Sequence, residues 1–135
     1  SNLLKKHLII PKKKKLTPNQ LSTGLFAWKV VKHTKSNAIV VAKNNKIISI
    51  SGGQTSRVDA TKIAFEKTKI PKGCVVASDA FFPFKDSIEK MAQYKISAII
   101  QPGGSIRDCE VVESCNKNKI AMAFTGFRVF KLVNT

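Results

Sequence analysis

Arginine, acid and thiol are all scarce in this 135-residue chain, and each scarcity excludes something. The three cysteines, Cys74, Cys109 and Cys115, are an odd number at unpatterned spacings. They exclude the disulfide framework of a small secreted domain and point to a reducing, cytoplasmic compartment. No apolar run approaches the roughly eighteen residues that a membrane span needs. Nor does Leu8-Ile9-Ile10 grow into a secretory leader, because Pro11 and a lysine run stop it. Apolar residues make up 43% of the chain, enough to offset the entropy of ordering, so disorder is excluded for most of it. One domain with a single core is expected at this length.

The charge is one-sided. Lys and Arg number 24 against eight Asp and Glu, a formal net charge of +16. Such an excess points first to nucleic acid. Its composition argues otherwise: 21 of the cations are lysine and three are arginine (Arg57, Arg107, Arg128), whereas base and phosphate recognition favours the planar arginine fork. The lysines are scattered apart from Lys12–Lys15, and a lysine-coated, solvated surface is the better reading.

Residues 1–16 are basic and interrupted by proline, and are expected to be an extended segment preceding a domain over 17–135. Thr17-Pro18 reads as a helix start, with threonine as N-cap and proline in the first turn. Leu21, Leu25, Trp28 and Val31 then recur at helical spacing to about His33. Ala38–Ala42 and Ile47–Ile50 are strands joined at Asn44-Asn45 as a hairpin. Gly52-Gly53 ends the sheet, and a helix follows with Val58, Ile63 and Ala64 on one face. The chain then alternates: strand Cys74–Ala77, helix Asp86–Tyr94, strand Ser97–Ile100, helix Asp108–Asn116, strand Ile120–Phe124. Continuous apolar strands are expected to be buried on both faces. This order resembles a cytidine-deaminase-like α/β fold, a three-layer sandwich with a mixed sheet flanked by helices.

That architecture usually holds a zinc-bound water, with His or Cys and Glu at one helix start and Pro-Cys-x-x-Cys at the next. Here those places read Gly52-Gly53-Gln54-Thr55-Ser56-Arg57 and Asp79-Ala80-Phe81-Phe82-Pro83-Phe84. Neither has a histidine or a thiol. The spacing of Cys109 and Cys115 does not suit a zinc knuckle. No zinc and no deamination are expected.

Each remaining motif has its own chemistry. Asn37, at the mouth of a strand, offers a donor and an acceptor together, which suits a carboxamide; it also suits a turn cap. Arg57 follows a Gly-Gly turn at a helix N-terminus, where N–H groups and a guanidinium favour an anion or a carbonyl. The alternative is a surface arginine. Phe81-Phe82-Pro83-Phe84 is too apolar for a free loop, so it plugs the core or walls a pocket. Gly103-Gly104-Ser105 before a helix is a weak phosphate-loop signal.

Taken together, the stretches FAWKVVKHTKSNAIVVAK, GGQTSRVD, ASDAFFPFKD and IIQPGGSIRD resemble one family, in its order and over about Ile9 to Lys131. It is the bifunctional purine-biosynthesis enzyme that joins an aminoimidazole carboxamide ribonucleotide (AICAR) formyltransferase to an IMP cyclohydrolase. The resemblance is to the second of two deaminase-like formyltransferase subdomains, so a fragment or one piece of a split enzyme is expected. By resemblance, Asn37, Arg57, Phe81 and Arg128 bind AICAR, while Val58, Asp86, Ser105 and Ile106 bind the co-substrate 10-formyltetrahydrofolate.

The resemblance also implies what this stretch does not supply. The family's catalytic lysine–histidine pair belongs to the other subdomain, so no catalytic residue is assigned here, and His33 after Lys32 reads as structural or exposed. Leu132 stands where the family usually has a terminal histidine. Implied partners are the two small molecules, the other subdomains and a homodimer mate, with no membrane and no nucleic acid. The competing expectation is a non-catalytic basic module, for RNA or another anion, on an enzyme-derived fold.

Overall fold

The computed structural model describes residues 15–80, 85–103 and 108–125. The basic stretch at 1–14 and the sequence-derived site residues Phe81, Ser105, Ile106 and Arg128 lie outside them, as does Leu132.

Helix α1 runs Pro18–Lys32 and starts where threonine and proline predict. The Thr17 side chain accepts from Gln20 N at 3.1 Å, and Gln20 Oε1 accepts from Thr17 N at 2.8 Å. This reciprocal box satisfies N–H groups that a helix start otherwise leaves open. Leu25, Trp28 and Val31 are buried as the spacing predicts, joined by Thr23, Gly24 and Ala27, whereas Leu21 is only half-buried. Gly24 lies so close to the sheet that a Cβ there would sit 2.1 Å from the Ile100 side chain.

Strands β1 (Ile39–Lys43) and β2 (Lys46–Ser51) form the expected hairpin. Its turn residues Asn44 and Asn45 both have positive φ, 50° and 59°, as a tight two-residue hairpin turn requires and asparagine tolerates. Helix α2 (Arg57–Glu66) is capped by Ser56, whose side chain accepts from Asp59 N. Strand β3 (Val75–Ser78), helix α3 (Lys85–Ala92), strand β4 (Ala98–Gln101), helix α4 (Asp108–Lys117) and strand β5 (Ala121–Phe124) complete the order.

The sheet order is β2-β1-β3-β4-β5. β1 is antiparallel to both β2 and β3, while β3, β4 and β5 run parallel. Because strand side chains alternate, each strand feeds two cores. Ile39, Val41, Val76, Ile99 and Met122 pack with α2, α3 and α4 on one face. Val40, Ala42, Ala77, Ile100 and Ala123 pack with Ala27, Trp28 and Val31 of α1 on the other. This is the three-layer sandwich with a mixed sheet. Among the described residues, no helix is long and apolar enough to cross a membrane.

One sequence expectation is overturned. Val58 and Ile63 do not share the buried face of α2 with Ala64; they are 51% and 37% exposed. The buried set is Arg57, Ala60, Thr61, Ala64 and Phe65, a spacing that forms one helical stripe. Two alanines let the helix approach the sheet and Phe65 fills the gap at its end, so the branched residues turn outward.

Candidate functional site

In open α/β sheets, ligands collect beyond the carboxyl ends of the parallel strands. Three segments meet at that edge here. β3 ends at Ser78, so Asp79 stands just beyond it. β1 is antiparallel to β3 with Ile39 opposite Ser78, so the residues entering β1, Ser36 to Ala38, lie at the same edge. The first residue of α2, Arg57, reaches into the gap from above.

The resulting network is dense. Arg57 Nη1 lies 2.7 Å from Asp79 Oδ1, with the two side chains only 8% and 15% exposed. Nη1 also donates to Ala38 O at 3.1 Å, and Nη2 donates to Asn37 Oδ1 at 2.7 Å. Asn37 Nδ2 donates in turn to Gln54 O at 2.9 Å. Asp79 accepts from the Ser36 hydroxyl at 2.6 Å and from Ala38 N at 3.1 Å. Gly53 N donates to Lys35 O at 2.6 Å, and the positive φ of Gly53, 71°, lets the chain turn there into α2.

A guanidinium has five N–H donors, and the bonds just described take three of them. Arg57 Nε is buried without a partner. Half-buried Asn37 uses one of its two amide N–H groups on Gln54 O. A buried donor without a partner costs about 1–3 kcal/mol, and interiors rarely tolerate one without a reason. The edge therefore holds a neutralised arginine with an N–H to spare.

Val58 follows Arg57 but faces elsewhere. About 100° further round the helix, it lines a groove of about 140 Å³ between α2 and α3. Phe65 and Tyr94 meet along that groove, their ring centroids 4.8 Å apart. Asp86 falls in the first turn of α3, and its side chain is outside the described part. His33 is the exposed C-cap of α1, its N–H donating to Val30 O at 3.1 Å, and Thr34 N donates to Val31 O at 3.0 Å. The thiols are distributed through the core and surface: Cys74 and Cys115 are buried, and Cys109 is exposed. Burial pushes the Cys74 thiol up from its ordinary pKa, with the Lys43 ammonium opposing. Among the described residues no three His, Cys, Asp or Glu side chains gather as a metal site.

The structure thus brings Asn37 and Arg57 into direct contact and sends Val58 to an adjoining groove. Sequence reasoning missed Asp79, Ser36 and Gln54 as partners. Asp79 carries a usable signal: it is one of eight acidic residues in the chain and directly follows an apolar strand.

Comparison with known proteins bears on what such an edge serves. Residues 2–67 match the family model described as the AICARFT/IMPCHase bienzyme. The bifunctional purine biosynthesis protein PurH of Aquifex aeolicus is 54% identical over 133 residues, covering 96% of this chain and 26% of that protein. Its counterpart in Petrotoga mobilis is 60% identical over 107 residues, covering 79% and 21% respectively. The chain is homologous to one portion of this bienzyme. It spans about a quarter of the length of the PurH relatives it matches. Two solved structures share the fold with this chain at low identity. A diaminohydroxyphosphoribosylaminopyrimidine deaminase/5-amino-6-(5-phosphoribosylamino)uracil reductase of Thermotoga maritima aligns with a TM-score of 0.55 at 15% identity, over 85% of this chain and 39% of its own. A RibD of Acinetobacter baumannii gives 0.52 at 10%, over 85% and 36%. These neighbours bear on fold alone, which is deaminase-like.

Proposed function

We propose that this chain is a substrate-positioning part of an AICAR formyltransferase in purine biosynthesis. In that reaction the 5-amino nitrogen of AICAR attacks the formyl carbon of 10-formyltetrahydrofolate. A new N–C bond forms, the bond from the formyl carbon to N10 breaks, and a proton passes from the amine to N10. This chain supplies position, not proton transfer. Asn37, Arg57, Phe81 and Arg128 hold the nucleotide; Val58, Asp86, Ser105 and Ile106 hold the folate. The general base comes from another part of a longer enzyme, assembled as a homodimer. Holding two reactants in line is a large part of such catalysis, and a weakly basic amine needs it.

One observation carries the reading. Asn37 and Arg57 lie twenty residues apart, yet their side chains meet at 2.7 Å and retain unspent N–H donors. A carboxamide oxygen fits such a donor pair. The groove that begins at Val58 and runs along α2 to Glu66 gives a second, more apolar compartment, as a two-substrate site needs.

The test replaces the matching 133-residue segment of the Aquifex aeolicus relative with this chain. The chimera is expected to transfer formyl from 10-formyltetrahydrofolate to AICAR, and the purified chain alone is expected to show no turnover. A folded chimera without transfer contradicts the reading, and so does turnover by the chain alone, which would require a base within it.

A further inference from the structure

An arginine at a helix start ordinarily advertises an anion site. This one arrives already paired. Asp79 Oδ1 sits 2.7 Å from Arg57 Nη1, and both groups are largely shielded from water. The carboxylate is itself anchored by the Ser36 hydroxyl at 2.6 Å and Ala38 N at 3.1 Å. It therefore cannot swing aside and release the cation to an incoming anion without breaking both anchors.

The consequence for a ligand is a matter of sign. A carboxylate approaching Arg57 would meet a guanidinium that is already neutralised, and would lie beside Asp79 in a poorly solvated place. Like charges set together there repel, and low dielectric magnifies the penalty. A neutral carbonyl pays no such penalty and needs only donors. Arg57 Nε is buried and unpartnered, and Asn37, whose Oδ1 accepts from Nη2, has one amide N–H left over from its bond to Gln54 O.

We infer that Asp79 makes this edge selective for a neutral carbonyl, such as a carboxamide, over the corresponding carboxylate. It acts through Arg57 as a positioning and specificity-determining residue. The inference rests on the reading that AICAR binds here, and extends it by naming the group that rejects the acid.

The test titrates AICAR and its 4-carboxylate analogue, the same ribonucleotide with an acid in place of the amide, into the full chain. Binding is followed by the side-chain N–H signals of Arg57 and Asn37 in NMR spectra. The wild type is expected to favour the carboxamide at least tenfold. In Asp79→Asn that preference should collapse or reverse, because the unpaired guanidinium then welcomes an anion. Asp79→Glu keeps the charge and should keep the preference. The ratio of affinities is the readout, since a general loss of stability weakens both ligands alike.

If Asp79→Asn does not fold, the wild type decides the matter, and equal or tighter binding of the carboxylate overturns the inference. If neither nucleotide binds, the functional reading fails by itself, and acetate against acetamide decides the inference. Acetate at tens of millimolar should leave the Arg57 Nε–H signal of the wild type unmoved while acetamide shifts it. A larger shift with acetate overturns the inference.

Discussion

The two ends of β3 are built to different rules. At its entry, Cys74 lies among closed hydrogen bonds. Its thiol donates to Pro71 O at 3.1 Å, Ser97 N donates to Cys74 O at 2.8 Å, and Gly73 N donates to Lys95 O at 2.8 Å. The Ser97 hydroxyl donates to Gly73 O at 2.8 Å, and the Lys43 ammonium caps Lys72 O at 2.6 Å. At its exit stands Asp79, in a buried ion pair whose arginine keeps an N–H unspent. One end has its hydrogen bonds closed; the other holds an ion pair in a poorly solvated place. The difference teaches where the fold spends stability for another purpose, since a half-satisfied polar network is worse for folding than a closed one.

The sharpest way to break the contrast is to remove Asp79. Asp79→Ala leaves Arg57 buried with its charge uncompensated, and should lower unfolding free energy by about 3–5 kcal/mol. Replacing Arg57 by leucine in the same chain should recover much of that loss. Denaturant unfolding of the single and double variants measures both, and a loss under about 1 kcal/mol would show the pair to be solvent-screened.

At the other end the expected effects are smaller. Ser97→Ala removes one hydroxyl bonded to Gly73 O, and should cost about 0.5–1.5 kcal/mol in the same measurement. A cost near that of Asp79→Ala would erase the distinction between the ends.

Cys74 sharpens the comparison through pH. Its thiol pKa is raised in the fold by burial, so the native state holds that proton more tightly than the unfolded chain. The stabilisation is present in full below the unfolded thiol's pKa and is lost as pH rises through the folded one. Stability should therefore decline on the alkaline side, and Cys74→Ala should flatten that decline. Thiol labelling at neutral pH gives the smallest and simplest readout: Cys109, the exposed thiol, should react first, and Cys109→Ser should abolish the fast phase. Fast labelling of Cys74 would contradict its burial.

Much of this was legible in the residues themselves. Thr17-Pro18, Asn44-Asn45 and the apolar strand runs act locally, through caps, turn conformations and side-chain alternation, so the elements and their order could be read directly. Strand bounds moved by about a residue, because ladder bonds to neighbouring strands decide them. The face of α2 was misread because Val58 and Ile63 outrank alanine in hydrophobicity, whereas close helix–sheet packing favours Ala60 and Ala64. At the site, Asn37 and Arg57 were legible as a donor–acceptor amide and an arginine among lysines. The pairing of Asp79 was not, because its partners Ser36 and Arg57 are 43 and 22 residues away and only the sheet brings them together.

The most direct measurement compares the two ends in one spectrum. AICAR is titrated into the isotopically labelled chain, and the signals of Asn37, Arg57 and Asp79 are followed beside those of Gly73, Cys74 and Ser97. The account predicts saturable shifts at the first three and none at the last three. Shifts spread equally over both ends, or none at Asn37 and Arg57 at saturating nucleotide, would contradict it.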